Sequence, residues 1–125
     1  MAIDPNFVLD INIALYHLGG RLQNNLSIGQ YSVSIITEME LLSYPSLTPT
    51  EEQRIRQFLS QLQILNLTES IKRGAIDLRK HNRLKLPDAI IVATALELGA
   101  ILLTNDLKLT QIPTLSVQSL PLKSP

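Results

Sequence analysis

Four carboxylates, Asp10, Glu40, Asp88 and Asp106, stand far apart in this 125-residue chain, yet each lies beside the start or end of an apolar segment. Carboxylates gathered at one place repel one another and raise each other's pKa unless a cation sits among them. The donors would all be oxygen, because the chain has no cysteine and its 2 histidines are unpaired at metal-ligand spacing. That set suits a hard ion such as Mg²⁺ or Mn²⁺ and offers little to zinc. Such an ion can activate water and offset the charge of a phosphodiester under attack. Each acid also has a plain structural reading. Asp10 follows an apolar run and could cap a helix, while Thr37 and Glu40 fit a capping box. Glu38 competes with Glu40, since both flank the apolar arc of Ile35, Ile36, Met39 and Leu42, and periodicity does not separate them.

The elements that would carry these acids alternate between strand and helix. Phe7 to Leu9 reads as a first strand with Asp10 at its end, followed by a helix from Ile13 to Leu18 that Gly19 and Gly20 stop. Tyr31 to Ile36 reads as a second strand, with a helix opening at Thr37. Thr48, Pro49 and Glu51 start a helix running to about Leu62, with Ile55, Phe58, Leu59 and Leu62 as its buried stripe. Ile64 to Leu67 follows as a strand, and Thr68 caps a helix that runs out near His81. Pro87 suits the first position of the next helix and puts Asp88 in its first turn, where the helix dipole favours an anion. This helix is apolar almost all round, which predicts burial, and Gly99 is placed to end it. Ala100 to Leu103 is a continuous apolar strand that breaks into Thr104, Asn105 and Asp106. Thr114 to Val117 reads as a short last strand.

Alternation of this kind predicts an α/β domain of three α/β/α layers, with a central, mostly parallel sheet of four or five strands and right-handed crossovers. Asp10 and Asp106 then fall at the carboxyl ends of strands, where open sheets bind their ligands, and Asp88 can face them from a helix start. One domain is expected over 1–125, with Met1 to Asn6 as a short lead and 119–125 as a loose tail.

Lys and Arg number 11 against 11 Asp and Glu, so the chain has no global basic field, and nucleic-acid binding would need a local patch. Arg79, Lys80, His81, Arg83 and Lys85 form the only basic concentration, directly before Asp88. It is either a solvated loop with helix-terminal dipole partners or a cationic lip for a polyanion, with Arg79, Arg83 and Lys85 as its RNA-binding residues. The absence of tryptophan argues against a base-stacking platform. A hydrophobic content of 45% excludes disorder, no apolar run is long enough to span a bilayer, and no basic-then-apolar leader is present. The expected location is the cytoplasm.

Val8-Leu9-Asp10-Ile11-Asn12 resembles the opening motif of PIN-domain ribonucleases, and Ser34 to Leu41 is similar to their second. Leu86-Pro87-Asp88-Ala89 and Leu103-Thr104-Asn105-Asp106 resemble the third and fourth. The four stand in the family's order, and the chain's size is similar to that of VapC-like toxins of type II toxin–antitoxin systems. The resemblance implies a Mg²⁺- or Mn²⁺-dependent endoribonuclease whose catalytic, metal-holding residues are Asp10, Glu40, Asp88 and Asp106. The family's Thr-x-x-Glu-Leu pattern selects Glu40 over Glu38. It also implies Asn12 and Thr104 as supporting groups, an RNA substrate, a cognate antitoxin and a homodimer. The aromatic often found after the last acid is replaced here by Leu107, Lys108 and Leu109. Two other readings fit the residues: a non-catalytic PIN-like RNA- or protein-binding subunit, and a receiver-type phosphotransfer domain with Asp10 as phosphoacceptor.

Overall fold

Residues 4–125 are described by a computed structural model. Met1 to Ile3, half of the expected lead, lie outside the described residues, and Asn6 already belongs to the first strand. In chain order the elements are β1 (Asn6–Leu9), α1 (Ile11–Leu18), β2 (Gln30–Ser34), α2 (Ile35–Leu42), α3 (Pro49–Leu59), β3 (Gln63–Leu65), α4 (Glu69–Asn82), α5 (Leu86–Leu98), β4 (Ile101–Leu103), a 3₁₀ turn (Leu109–Gln111) and β5 (Val117–Gln118).

All strand pairs are parallel, in the order β3-β2-β1-β4-β5. Successive side chains of a strand point to opposite faces, and each face has its own core. Val8 and Leu102 look towards α4 and α5, where Ile71, Ala75, Leu78 and Ala89 to Ala93 are buried. Phe7, Leu9, Val33 and Leu103 look the other way, onto Ile13 and Ala14 of α1, Leu41 of α2 and Ile55, Phe58 and Leu59 of α3. The result is three layers, as the pattern predicts. Helix α5 is buried from Ala89 to Ala95 because it packs on α4, α2 and the sheet at once, which is why its sequence is apolar on every side. Ile91, at 1% exposure, alone contributes about 1.5–3 kcal/mol of burial.

From β1 the chain passes to β2 on one side, whereas β4 passes to β5 on the other. The connections diverge between β1 and β4, which opens a crevice at the carboxyl ends of those strands. Among the described residues no helix is long and apolar enough to cross a membrane.

Several expected boundaries shift, each for a local reason. β2 ends at Ser34, whose hydroxyl accepts the Ile36 N–H at 3.2 Å and caps α2. Thr37 therefore lies inside the helix, and the expected Thr37–Glu40 capping box does not form. The Thr48–Glu51 box does form, with both reciprocal bonds. Helix α5 starts at Leu86, so Pro87 is its second residue. Thr114 has φ 67, outside the extended region, and β5 falls later than expected, at Val117–Gln118. The expected loose tail is tied down: Leu22 and Leu122 form an antiparallel bridge, and the Asn105 side chain exchanges bonds of 2.8 and 2.9 Å with the Leu120 backbone.

Candidate active site

Asp10 is the first residue past β1, held in the sheet by its N–H bond to Leu103 O at 3.0 Å. Its carboxylate is 4% exposed, and both oxygens are engaged. Oδ1 accepts the Ile11 N–H at 2.8 Å, so the helix-cap reading is correct as well. Oδ2 accepts the Thr104 hydroxyl at 2.6 Å. Thr104, fully buried at the end of β4, also accepts the Asp106 N–H on Oγ1 at 3.1 Å. Asp106 in turn accepts the Lys108 N–H on Oδ1 at 3.0 Å. One hydrogen-bonded chain thus joins the ends of β1 and β4 across the crevice.

Glu40 reaches the crevice from the last turn of α2, and Asp88 from the first turn of α5. Burial is the largest cause of a raised pKa at Asp10, opposed by the bonds from Thr104 and Ile11 and reinforced by the Asp106 charge. Glu40 is raised by burial and then by Asp10 and Asp88. Asp88 is raised by burial, then by Asp10 and Asp106, with Lys85 and Lys108 partly offsetting this. These charge effects link the four sequence-predicted acids: Asp106 acts on Asp10 and on Asp88, and Asp10 acts on Glu40 and on Asp88. Glu38 shows no part in them.

Glu40 Oε1 is buried without a hydrogen-bond partner among the described residues, as is Thr37 Oγ1 one turn earlier. Orphaned buried oxygens of this kind ask for an ordered water or an ion. Among the described residues no group of three or more His, Cys, Asp or Glu side chains is drawn together closely enough to hold one ion alone. The cluster therefore suits an ion that takes one or two carboxylates and completes its shell with water and a phosphate, the habit of Mg²⁺.

Of the expected supporting groups, Thr104 stands where it was placed, whereas Asn12 is exposed on α1 and bonds to none of the four carboxylates. Lys85 precedes α5 and acts on Asp88; Arg83 ends α4; Arg79 is exposed one turn earlier, with no charge effect on the acids. His81 is exposed as expected, but has an acidic neighbour after all, Asp77 at 3.1 Å. Sequence reasoning missed Lys108, whose signal was its position two residues past Asp106. A cavity of about 390 Å³ beside α1 and α3 is lined by residues such as Leu15, Tyr44 and Ile55 and by none of the four acids.

Comparison with known proteins agrees with this fold. The PIN domain family model matches residues 7–115. No curated protein sequence matches the chain. Among solved structures, a toxin–antitoxin complex from Klebsiella pneumoniae is similar at 33% identity and a TM-score of 0.73, over 86% of this chain and 93% of that one. VapBC2 from Rickettsia felis, bound to a fragment of promoter DNA, is similar in fold, with 20% identity, a TM-score of 0.80 and coverage of 93% and 99%. DNA-bound VapBC from Salmonella typhimurium is similar at 21% identity and a TM-score of 0.78, over 92% and 98%. With the family model spanning most of the chain and a solved relative at one-third identity, the chain belongs to the PIN-domain family.

Proposed function

We propose that this chain is a Mg²⁺- or Mn²⁺-dependent endoribonuclease and the toxin subunit of a toxin–antitoxin pair. The observation that carries the nuclease reading is the set of four carboxylates at the ends of β1, α2, α5 and β4, three of them with pKa raised by burial and by one another's charge, with one buried oxygen of Glu40 left unpartnered among the described residues. The toxin reading rests on the similarity to chains of toxin–antitoxin complexes, and the proposed assembly is a cytoplasmic homodimer inhibited by an antitoxin.

One or two of the carboxylates of Asp10, Glu40, Asp88 and Asp106 would hold the ion directly and the others through its water shell, and the ion would supply Lewis acidity to the phosphodiester and to the attacking water. Thr104 and the Ile11 N–H fix the Asp10 carboxylate in one orientation. The Lys108 N–H does the same for Asp106, and orientation by such partners sharpens both binding and activity. The burial that raises these pKa values keeps water from screening the carboxylates. Lys85 and Lys108 lend positive charge at the rim, where a phosphate backbone can approach.

A phosphoacceptor role for Asp10 fits poorly, because its buried oxygens are both occupied by hydrogen bonds. A non-catalytic binding subunit is favoured by one observation, that among the described residues no three acids are grouped closely enough to hold a metal ion together. The test is cleavage of structured and single-stranded RNAs with Mg²⁺, Mn²⁺ or EDTA, beside Asp88→Asn. The expected result is metal-dependent cutting that falls at least about 100-fold in the variant, more than is lost when only a supporting group goes. Undiminished cutting by Asp88→Asn removes the site assignment, and Mn²⁺ binding without cutting favours the binding subunit.

A further inference from the structure

Arg83 ends α4 at φ 55, in the left-handed region. Glycine is the residue that adopts this conformation without strain, as Gly99 does at the end of α5 at φ 60. Strain at a charged, exposed residue points to use of its side chain. With Asn82 and Leu84, Arg83 lines a groove of about 420 Å³ whose other lining residues are Lys108, Gln111 and Ile112. The groove adjoins the acidic cluster through the backbone, because the same Lys108 gives its N–H to the Asp106 carboxylate at 3.0 Å. Among the described residues, ion pairs engage Arg56, Lys72, Arg73 and His81, and none engages Arg83 or Lys108. Two cations without a direct ion pair thus share a groove, and one of them, Lys108, also acts on Asp88.

The lining divides by chemistry. A guanidinium presents paired donors that match a phosphate, and an ammonium adds a point charge. Asn82 and Gln111 each offer a donor and an acceptor for a base edge. Leu84 and Ile112 are buried and apolar, a surface for the face of a ring in a site without aromatic side chains. The volume is that of a small-ligand site. Building on the nuclease reading above, we propose that this groove is the subsite for the nucleotide flanking the cleaved bond in single-stranded RNA. Arg83 and Lys108 hold its phosphate, Asn82 and Gln111 read its base, and Leu84 and Ile112 support the ring. Single strands are specified because the base edges must be free.

The test uses labelled homopolymeric RNA oligonucleotides bound in EDTA by the wild type and by Arg83→Gly, Lys108→Met, Gln111→Ala and, at the other end of α4, Lys72→Met. Arg83→Gly relieves the backbone, so its Tm should equal or exceed that of the wild type, and weaker binding cannot come from misfolding. Arg83→Gly and Lys108→Met should each weaken binding roughly 5–10-fold and lower the salt slope by about one. Gln111→Ala should change the order of preference among the homopolymers, and Lys72→Met should change nothing. With Mn²⁺, Arg83→Gly should raise KM and leave kcat within about twofold. Wild-type affinity and salt slope in both cation variants overturn the proposal. So does a wild type that binds no RNA, and capture of a poly-glutamate peptide through Arg83 would then assign the groove to an acidic protein segment. RNA bound through Arg83 and Lys108 but never cut keeps the groove and removes the nuclease. Cutting with KM unaltered in Arg83→Gly does the reverse.

Discussion

Thr104 gives its hydroxyl proton to Asp10 Oδ2 and receives the Asp106 N–H on the same oxygen, so one buried side chain sets two of the four acids. Thr104→Val keeps the shape and deletes both bonds. It leaves a buried carboxylate oxygen and a backbone N–H short of a partner, which costs about 1–3 kcal/mol. If the cluster cuts RNA, activity should fall roughly 10–100-fold, as when a partner that orients a ligand is lost. Thr104→Ser restores the hydroxyl and should recover most of both; cleavage and urea denaturation measured together check it. A Val variant with wild-type activity would mean that Asp10 needs no orientation. At this scale the sequence was informative where a residue's role follows from its place on a strand or helix end. Asp10, Asp88 and Asp106 could be singled out as candidates for that reason, whereas the choice of Glu40 over Glu38 needed the family pattern. Asn12 was misplaced because proximity in sequence to Asp10 turns into the outer face of α1. Lys108 was overlooked because its N–H bond to Asp106 depends on the turn after β4.

At the scale of elements, Gly29 and Gly99 test two different constraints. A Cβ on Gly29 would stand 2.7 Å from the Phe7 ring and 2.9 Å from Pro5 O, at the entry to β2 where Phe7 stacks on Tyr31. Neither neighbour can yield cheaply, since the ring belongs to the β1 core and the oxygen is backbone. Gly29→Ala should cost about 1–3 kcal/mol by overpacking. Gly99→Ala meets nothing within 4 Å, but at φ +60 it carries the torsional cost alone, about 1 kcal/mol. Urea denaturation of the two variants should place Gly29→Ala below Gly99→Ala, and the opposite order would contradict the close approach at Phe7. Helix α3 was readable to within three residues because its signals are local: Thr48, Pro49 and Glu51 start it and the Ile55, Phe58, Leu59 stripe faces inward. The start of α2 was misread because Ser34 and Thr37 both offer a cap, and burial of Ile35 and Ile36 is compatible with either. The tail was misread because what holds it is the Asn105 to Leu120 pair, fifteen residues apart and invisible to local pattern.

Over the whole molecule the acidic cluster makes the metal-free fold sensitive to pH. Asp10, Glu40 and Asp88 have folded-state pKa values above their ordinary 3.8, 4.5 and 3.8. A carboxyl of this kind favours the fold while protonated: its contribution is complete below the ordinary value and is lost as pH rises through the raised one. Stability of the metal-free protein should therefore decline on account of these groups as pH rises above their ordinary values of 3.8 to 4.5. His17 acts in the opposite sense, because burial lowers its pKa, so its contribution is present above 6.5 and lost as pH falls. Comparing the wild type with Glu40→Gln cancels His17. The variant should melt higher than the wild type at pH 8, and the gap should close as the pH falls below 4.5, where Glu40 is protonated in both the folded and unfolded states. Mn²⁺ should invert the order at pH 8, since an ion binding only the folded wild type at 100 times its Kd adds about 2.7 kcal/mol, and several degrees in Tm for a domain of this size. A gap independent of pH, or an equal response of both proteins to Mn²⁺, would place the repulsion and the ion somewhere other than around Glu40. A gap that closes in acid and inverts with Mn²⁺ ties the molecule's stability and its proposed chemistry to the same four carboxylates.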